Sequence, residues 1–227
     1  MTPQLLLIIM CLISGIILLD KYSVGEFGIS QPLLSASILG FAAGDFSKGV
    51  LLGLLLQPLW IVELPIGRKV PLDGQASGIA GAVVFFTLIL IGKVPFEKAA
   101  FAAIVLASIM SILGGWLDLV QRKINGYISL RIERATSLWE VAFVHAAALD
   151  VAFLRGVIIA VASFVVSLLS VPLIAYIPFI PFERLLVSTF SIGLAGALTL
   201  IGLKKAAIPA LAGFASWAVV WFCIKFL

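Results

Sequence analysis

Apolar residues gather along the chain in eight blocks: Leu5–Leu19, Ile29–Ala43, Val50–Val62, Ala76–Ile91, Ala99–Val120, Gly156–Ile177, Leu185–Leu203 and Ala206–Leu227. A helix needs about 20 apolar residues to cross the hydrocarbon core of a bilayer. The first, fifth, sixth, seventh and eighth blocks reach or approach that length. The second and third, on either side of "AAGDFSKG", fall short of it. Short segments interrupted by Gly or Pro point to re-entrant or broken helices. The pattern predicts an all-α polytopic membrane protein with about six to eight membrane segments, some not crossing fully.

Composition supports lipid as the solvent. Of 227 residues, 63% are hydrophobic and 11% charged, with a mean hydropathy of +1.24. Soluble domains carry about 25% charged residues, and one soluble core cannot hide this much apolar surface. The net charge of +4 comes without a basic stripe interleaved with aromatics, so nucleic acid is not an expected partner. Cys11 and Cys223 sit in separate apolar blocks and read as small buried hydrophobes. The N-terminal block lacks a basic leader and a small-residue cleavage site, and is read as a retained first membrane segment.

The most polar connection is "QRKINGYISLRIERATS", Gln121 to Ser137, in which Arg122, Lys123, Arg131 and Arg134 face a single Glu133. The positive-inside rule puts this segment in the cytoplasm, with Lys204 and Lys205 on the same side. It divides one membrane domain, residues 1–227, into apolar halves 1–120 and 138–227. No sequence repeat is visible between the halves.

Three stretches carry candidate chemistry. In "ELPIGRKVPLDGQASG", Pro65 and Pro71 each remove a backbone donor and turn the preceding residue away from helix. Gly67, Gly74 and Gly78 allow close approaches. Unwound backbone at membrane depth survives only inside protein or beside water, where its carbonyls and amides can meet a ligand. Asp73 then stands where it can cap a helix or face a ligand at the helix start. The alternative is an ordinary surface loop with Arg68 and Lys69 among headgroups, which avoids the roughly 2.5–3.5 kcal/mol cost of a charge at bilayer centre. In "GFAAGDFSKGVLLG", small residues favour close helix contact, and Asp45 with Lys48 forms either a polar hairpin tip or a capped turn. In "WEVAFVHAAALDVAFLRGVI", Glu140, His145, Asp150 and Arg155 recur every five residues. Each step turns a helix by about 140° net. The four groups therefore spread around the helix, which suits a break or a helix with neighbours on several sides. No hydrolase triad and no metal-ligand spacing appears, so neither a catalytic residue nor a metal or other cofactor is expected.

The collinear order of these pieces resembles a known family. "GEFGISQPLLSASILGFAAGDFSKGVLLGLLLQPLWIVELPIGRKVPLDGQASGIAGA" is similar to the N-terminal half of membrane subunit IIC of the mannose/sorbose family of the phosphoenolpyruvate-dependent sugar phosphotransferase system (PTS). The matching pieces are Gln31-Pro32-Leu33, Gly44-Asp45, Ile66-Gly67 and Pro71-Leu72-Asp73, and "W…HAAALDVAFLRGVI" resembles a later segment of that family. The resemblance implies a sugar permease component, multi-pass in a bacterial cytoplasmic (inner) membrane. It implies an oligomeric complex with membrane subunit IID, and phosphorylation of the sugar by a cytosolic IIAB protein or separate IIA and IIB. This chain would not carry the phosphoryl group, and no soluble phosphotransfer domain is expected on it. Transport in the family proceeds by alternating access. By position, Asp73 matches the acidic residue of the sugar loop and Gly67 its glycine. Gln75 would join Asp73 on sugar hydroxyls, Glu63 and Arg68 would shape or close the site, and Asp45, His145 and Arg155 would hold the moving domain or the IID contact.

The sequence departs from the family at Leu64-Pro65-Ile66-Gly67, where many relatives read W-M-N-I-G, and Pro65 cannot supply that side-chain amide. Arg68, Lys69 and Gln75 replace small residues. These changes suit a different sugar, anionic or an amino sugar derivative. The alternatives are a regulatory or structural membrane subunit without ordinary transport, another small-molecule transporter, and an intramembrane enzyme using His145 with Asp150 or Glu140. The angular spread of those groups argues against the last.

Overall fold

Helices follow the apolar blocks through the computed structural model, which describes residues 2–60, 72–135 and 137–201. No strand occurs among these residues. Helix α1, Pro3–Leu19, opens with Pro3 in its first turn and the Thr2 hydroxyl accepting from the Leu5 amide at 3.3 Å. It runs into a π-helical turn, Asp20–Val24, that stops at Gly25 with φ +138°. Asp20 gathers the chain beyond that turn. Its carboxylate accepts from the amides of Phe27 (2.6 Å) and Ser30 (3.1 Å) and from the Ser30 hydroxyl (3.0 Å). Burial pushes this carboxyl up, but the bonds from Ser30, Phe27 and Gly28 outweigh it and hold the group below the ordinary aspartate range.

Helices α2, Pro32–Ala43, and α3, Phe46–Leu56, form a hairpin. At 1.5 Å per residue they are roughly 18 and 16 Å long, too short to cross a hydrocarbon core of about 30 Å. This agrees with the expectation of short segments that do not cross. The reversal rests on Gly44 at φ +89°, a conformation that L side chains resist, and on Asp45, which caps α3. The arms pack backbone to backbone: a Cβ added at Gly40 would stand 2.6 Å from the Gly49 Cα. The Gln57 side-chain oxygen accepts from the Leu33 amide at 3.1 Å and joins the hairpin's open end. A 3-10 turn, Gln57–Trp60, extends α3.

Helix α4, Gly74–Leu90, is the axis of the fold. Gly74 and every residue from Ala76 to Leu88 are buried, and the helix packs on α1, α2, α3 and the two helices that follow. Its small residues make this possible. A Cβ at Gly78 would lie 2.6 Å from the Pro32 Cα, and one at Gly81 would lie 2.5 Å from the Leu56 Cδ1. At its far end, Phe85 meets Phe86 and Phe96 edge to face, with centroids 5.1 and 5.3 Å apart.

Helices α5, Phe96–Ser129, and α6, Leu138–Ile174, have 34 and 37 residues. Both are long and apolar enough to cross a membrane. Their outer faces leave Ile109, Ile112, Trp116, Ile158, Val165 and Leu169 exposed, surface suited to lipid. Helix α7 is Phe182–Ile201, and its Gly193 lies against the Pro58 backbone.

Two expectations need correction. The polar connection begins at Leu130, nine residues later than Gln121, because α5 continues to Ser129 before a 3-10 turn at Ile132–Arg134. No proline stands between Gln121 and Ser129, and the Asp118–Arg122 pair at 2.8 Å bridges the turn that leads into this stretch. Likewise α6 begins at Leu138, far ahead of Gly156, with the Ser137 hydroxyl accepting from the Glu140 amide. The five-residue polar series therefore needs no break. It winds around one continuous helix, with Arg155 buried and Glu140, His145 and Asp150 exposed. The last apolar block, Ala206–Leu227, lies outside the described residues with Lys204 and Lys205.

Candidate functional site

Helix α4 begins at a carboxylate. Asp73 Oδ1 accepts from the amides of Gln75 (3.1 Å) and Ala76 (3.2 Å), the N-cap its position predicts. Its own amide donates to the Ser111 carbonyl of α5 at 3.1 Å. Helix α5 comes this close because position 114 is glycine. A Cβ there would collide with the Ala76 Cβ and stand 3.1 Å from the Asp73 Cβ. Asp73 is 1% exposed.

A buried ionic cluster builds on this cap. Arg155 of α6 donates through Nη2 to Asp73 Oδ2, and through Nη1 to Asp118 Oδ1 (2.8 Å) and Gln121 Oε1 (2.9 Å) of α5. Asp118 Oδ2 pairs in turn with Arg122 at 2.8 Å. Arg155 and Asp118 are 3% and 2% exposed, whereas the Arg122 side chain is about half exposed. Among the described residues, two carboxylates thus face two guanidinium groups. Taking any of these ions out of water costs several kcal/mol, offset only while all partners hold. Three consecutive helices are thereby tied at one level: the start of α4, the middle of α5 and the first half of α6.

Polar capacity remains at this end of α4. Among the described residues, Gln75 Oε1, Ser77 Oγ and Arg155 Nε are buried atoms without a hydrogen-bond partner. Together they offer an acceptor, a hydroxyl and a donor around Asp73. Hydroxyl-rich ligands require such convergent groups.

Two other expected site residues, Asp45 and His145, fall elsewhere. Gly67, Glu63 and Arg68 lie outside the described residues. Asp45 caps α3 by accepting from the Lys48 amide at 3.0 Å and pairs with Lys48 Nζ at 2.6 Å, at the hairpin tip. His145 is exposed on α6, ten residues before Arg155, and makes no part of the cluster. Asp73 and Arg155, assigned separate roles on sequence grounds, are direct partners. Asp118 and Gln121 were not expected at all. Asp118 is the only charge between Ala99 and Val120, and a charge inside an apolar block was the signal available. Among the described residues, no three His, Cys, Asp or Glu side chains converge as a metal site.

The chain matches the family described as PTS system sorbose-specific IIC component over residues 4–225. No curated protein matches its sequence. Two solved structures share its fold, each over 97% of this chain and 86% of their own. One, described as the structure of a membrane protein, aligns with a TM-score of 0.63 at 19% identity. The other, a cryo-EM structure of the mannose transporter ManYZ in complex with microcin E492, aligns with a TM-score of 0.55 at 20% identity.

Proposed function

The chain belongs to the PTS sorbose-specific IIC family, and from that premise we propose that it binds a sugar at the start of α4 and carries it inward by alternating access for phosphorylation by cytosolic IIB. The observation that carries this reading is the helix start itself. Asp73 is buried and fixed in place, with unpartnered polar atoms on Gln75, Ser77 and Arg155 close to it in the fold. Asp73 and Gln75 take the sugar hydroxyls. Gly67, Glu63 and Arg68 complete the site, and Asp45, His145 and Arg155 serve structure or the contact with a partner. Convergent polar donors and acceptors suit a hydroxyl-rich sugar better than an apolar cargo.

The working unit in this proposal is an oligomeric complex in a bacterial inner membrane, multi-pass, with IID beside this chain and the IIA and IIB phosphocarriers in the cytosol. Residues 1–227 act in it as one membrane domain. The test is sugar-dependent uptake in cells carrying this chain with its IID and IIAB. The assay runs over a panel of aldohexoses, ketohexoses and amino sugars. Uptake of at least one sugar, lost in Asp73→Asn, is the expected result. Equal uptake of every sugar by wild type and Asp73→Asn overturns the site.

One observation favours a second reading. Both Asp73 oxygens already have internal partners, as they would in a subunit that recruits IID without binding sugar. Intact complex formation with no sugar bound at any concentration would select that reading.

A further inference from the structure

We propose that the projecting ends of α5 and α6 form the docking surface for a soluble protein with an acidic face. On the proposal of a sugar permease, on which this rests, that partner is the cytosolic phosphocarrier IIB. The surface lies apart from the start of α4, and none of the side chains assigned to it belongs to the ionic cluster.

Helices α5 and α6 are longer than a bilayer is thick. At 1.5 Å per residue, the 34 residues of α5 and the 37 of α6 run roughly 51 and 56 Å. A bilayer with its headgroups measures about 40–45 Å. In α6 the excess sits at one end. From Gly156 to Ile174 the helix carries no charge and runs roughly 28 Å, close to the whole hydrocarbon core. Leu138 to Arg155 adds roughly 27 Å, of which a headgroup layer covers about 5–8 Å. A tilt of about 20° changes these lengths little. His145 and Asp150, both exposed, mark the added stretch as wet. Large apolar side chains nevertheless stand out from it: Leu138, Trp139 and Phe143 are 88%, 85% and 71% exposed. An apolar cluster held in water marks a protein contact, and aromatic anchors carry much of the energy of such contacts. The distance beyond the headgroups argues against lipid as the occupant.

A cavity of about 430 Å³ opens here, lined by Arg131, Ala135, Trp139, Glu140, Phe143 and Val144. It gives an apolar side chain of the partner a place against Trp139 and Phe143. Charge selects the sign of the partner's face. The connection Gln121–Ser137 holds four basic residues and one acid, and its Lys123 and Arg131 are exposed. Glu140 and Asp150 are the acids that follow on α6, so attraction for an acidic face centres on the end of α5 and the turn after it. The positive-inside rule puts this end in the cytoplasm, where a soluble phosphocarrier reaches it.

The measurement is equilibrium binding of purified IIB to the purified membrane complex in nanodiscs. Wild type is compared with the double variant Trp139→Ala, Phe143→Ala and, separately, with Arg131→Glu. Each is expected to weaken IIB binding on the order of tenfold or more, with the Kd of the complex for a transported sugar unchanged. Added salt should weaken IIB binding to wild type, and less so to Arg131→Glu. IIB binding equal to wild type in both variants overturns the proposal. So does loss of IID from the purified double variant, which marks a contact between membrane subunits. So does quenching of the Trp139 emission, read as wild type minus Trp139→Phe, by lipids brominated in their acyl chains, which marks a surface seated in the membrane. If the double variant does not reach the membrane, Arg131→Glu decides instead, and IIB binding unchanged from wild type overturns the proposal in that case. Failure of the underlying permease reading looks different: IIB then fails to bind wild type as well, and both proposals fall together.

Discussion

Replacing Arg155 by methionine tests the energetic account of the cluster. The wild-type guanidinium is 3% exposed and makes hydrogen bonds to Asp73, Asp118 and Gln121. Methionine fills much of the volume but leaves two buried carboxylates facing each other's neighbourhood without their shared cation. Asp118 retains Arg122, which is half exposed and so only partly compensates, and Asp73 retains its bonds from the α4 amides. Removing one partner of a buried ion pair costs about 3–5 kcal/mol. For a chain of this size each kcal/mol moves the melting temperature by about 2–4 °C. Thermal unfolding of the detergent-purified complex should therefore fall by about 6–20 °C. Adding Asp73→Asn and Asp118→Asn to the same protein should recover at least half of the loss, because the penalty lies in stranded charge and not in lost attraction. A drop under about 2 °C in the single variant, or a further drop in the triple variant, would refute the reasoning.

Three other outcomes follow from the same geometry. Gly114→Ala places a methyl against Ala76 and Asp73. It should cost about 1–3 kcal/mol by overpacking and raise the KM for sugar uptake, whereas Gly126→Ala, with open space around its Cα, should do neither. Asp45→Ala removes the cap of α3 and should cost about 1 kcal/mol, seen as a modest drop in melting temperature. The ion pair to the partly exposed Lys48 adds little to this, so Asp45→Ser should restore most of it. The Asp20 carboxyl titrates below its ordinary value of 3.8 in the folded protein. Its stabilisation is therefore fully present above that value and disappears as pH falls through the lower, folded one. Hydrogen exchange at the Phe27 and Ser30 amides should accelerate across that acid window, and in Asp20→Asn the acceleration should no longer depend on acid.

Apolar run length made most of the fold legible. The starts of α1, α4 and α7 fall within about three residues of the blocks that predict them, and the α2–α3 hairpin follows from two blocks too short to cross and a Gly-Asp turn between them. The Asp73 cap was legible too, since capping is set by residues two and three positions away. The long helices were harder. Hydropathy marks the stretch of a helix that touches lipid; α5 continues beyond it on polar residues that propagate a helix equally well, and α6 starts well ahead of it in a run that Glu140, His145, Asp150 and Arg155 interrupt. The partnership of Asp73 with Arg155 spans 82 positions, and that of Arg155 with Asp118 spans 37. No periodicity connects residues on different helices at such distances. The packing that joins them depends on Gly114 and Ala76 meeting, which is a property of two surfaces and not of either segment.

Synthesis order gives the ionic cluster a further meaning. Its members leave the ribosome as Asp73, then Asp118 and Gln121, and last Arg155, 82 positions behind the first. At about 5–20 residues per second, the Asp73 carboxylate is made some 4–16 s before its cation. During that interval α4 carries an acid at its leading end with no counter-charge from α6. The buried pairing of this acid with Arg155 can form only after α6 has been made, so the arrival of Arg155 sets the earliest moment at which α4, α5 and α6 can be tied together through this cluster.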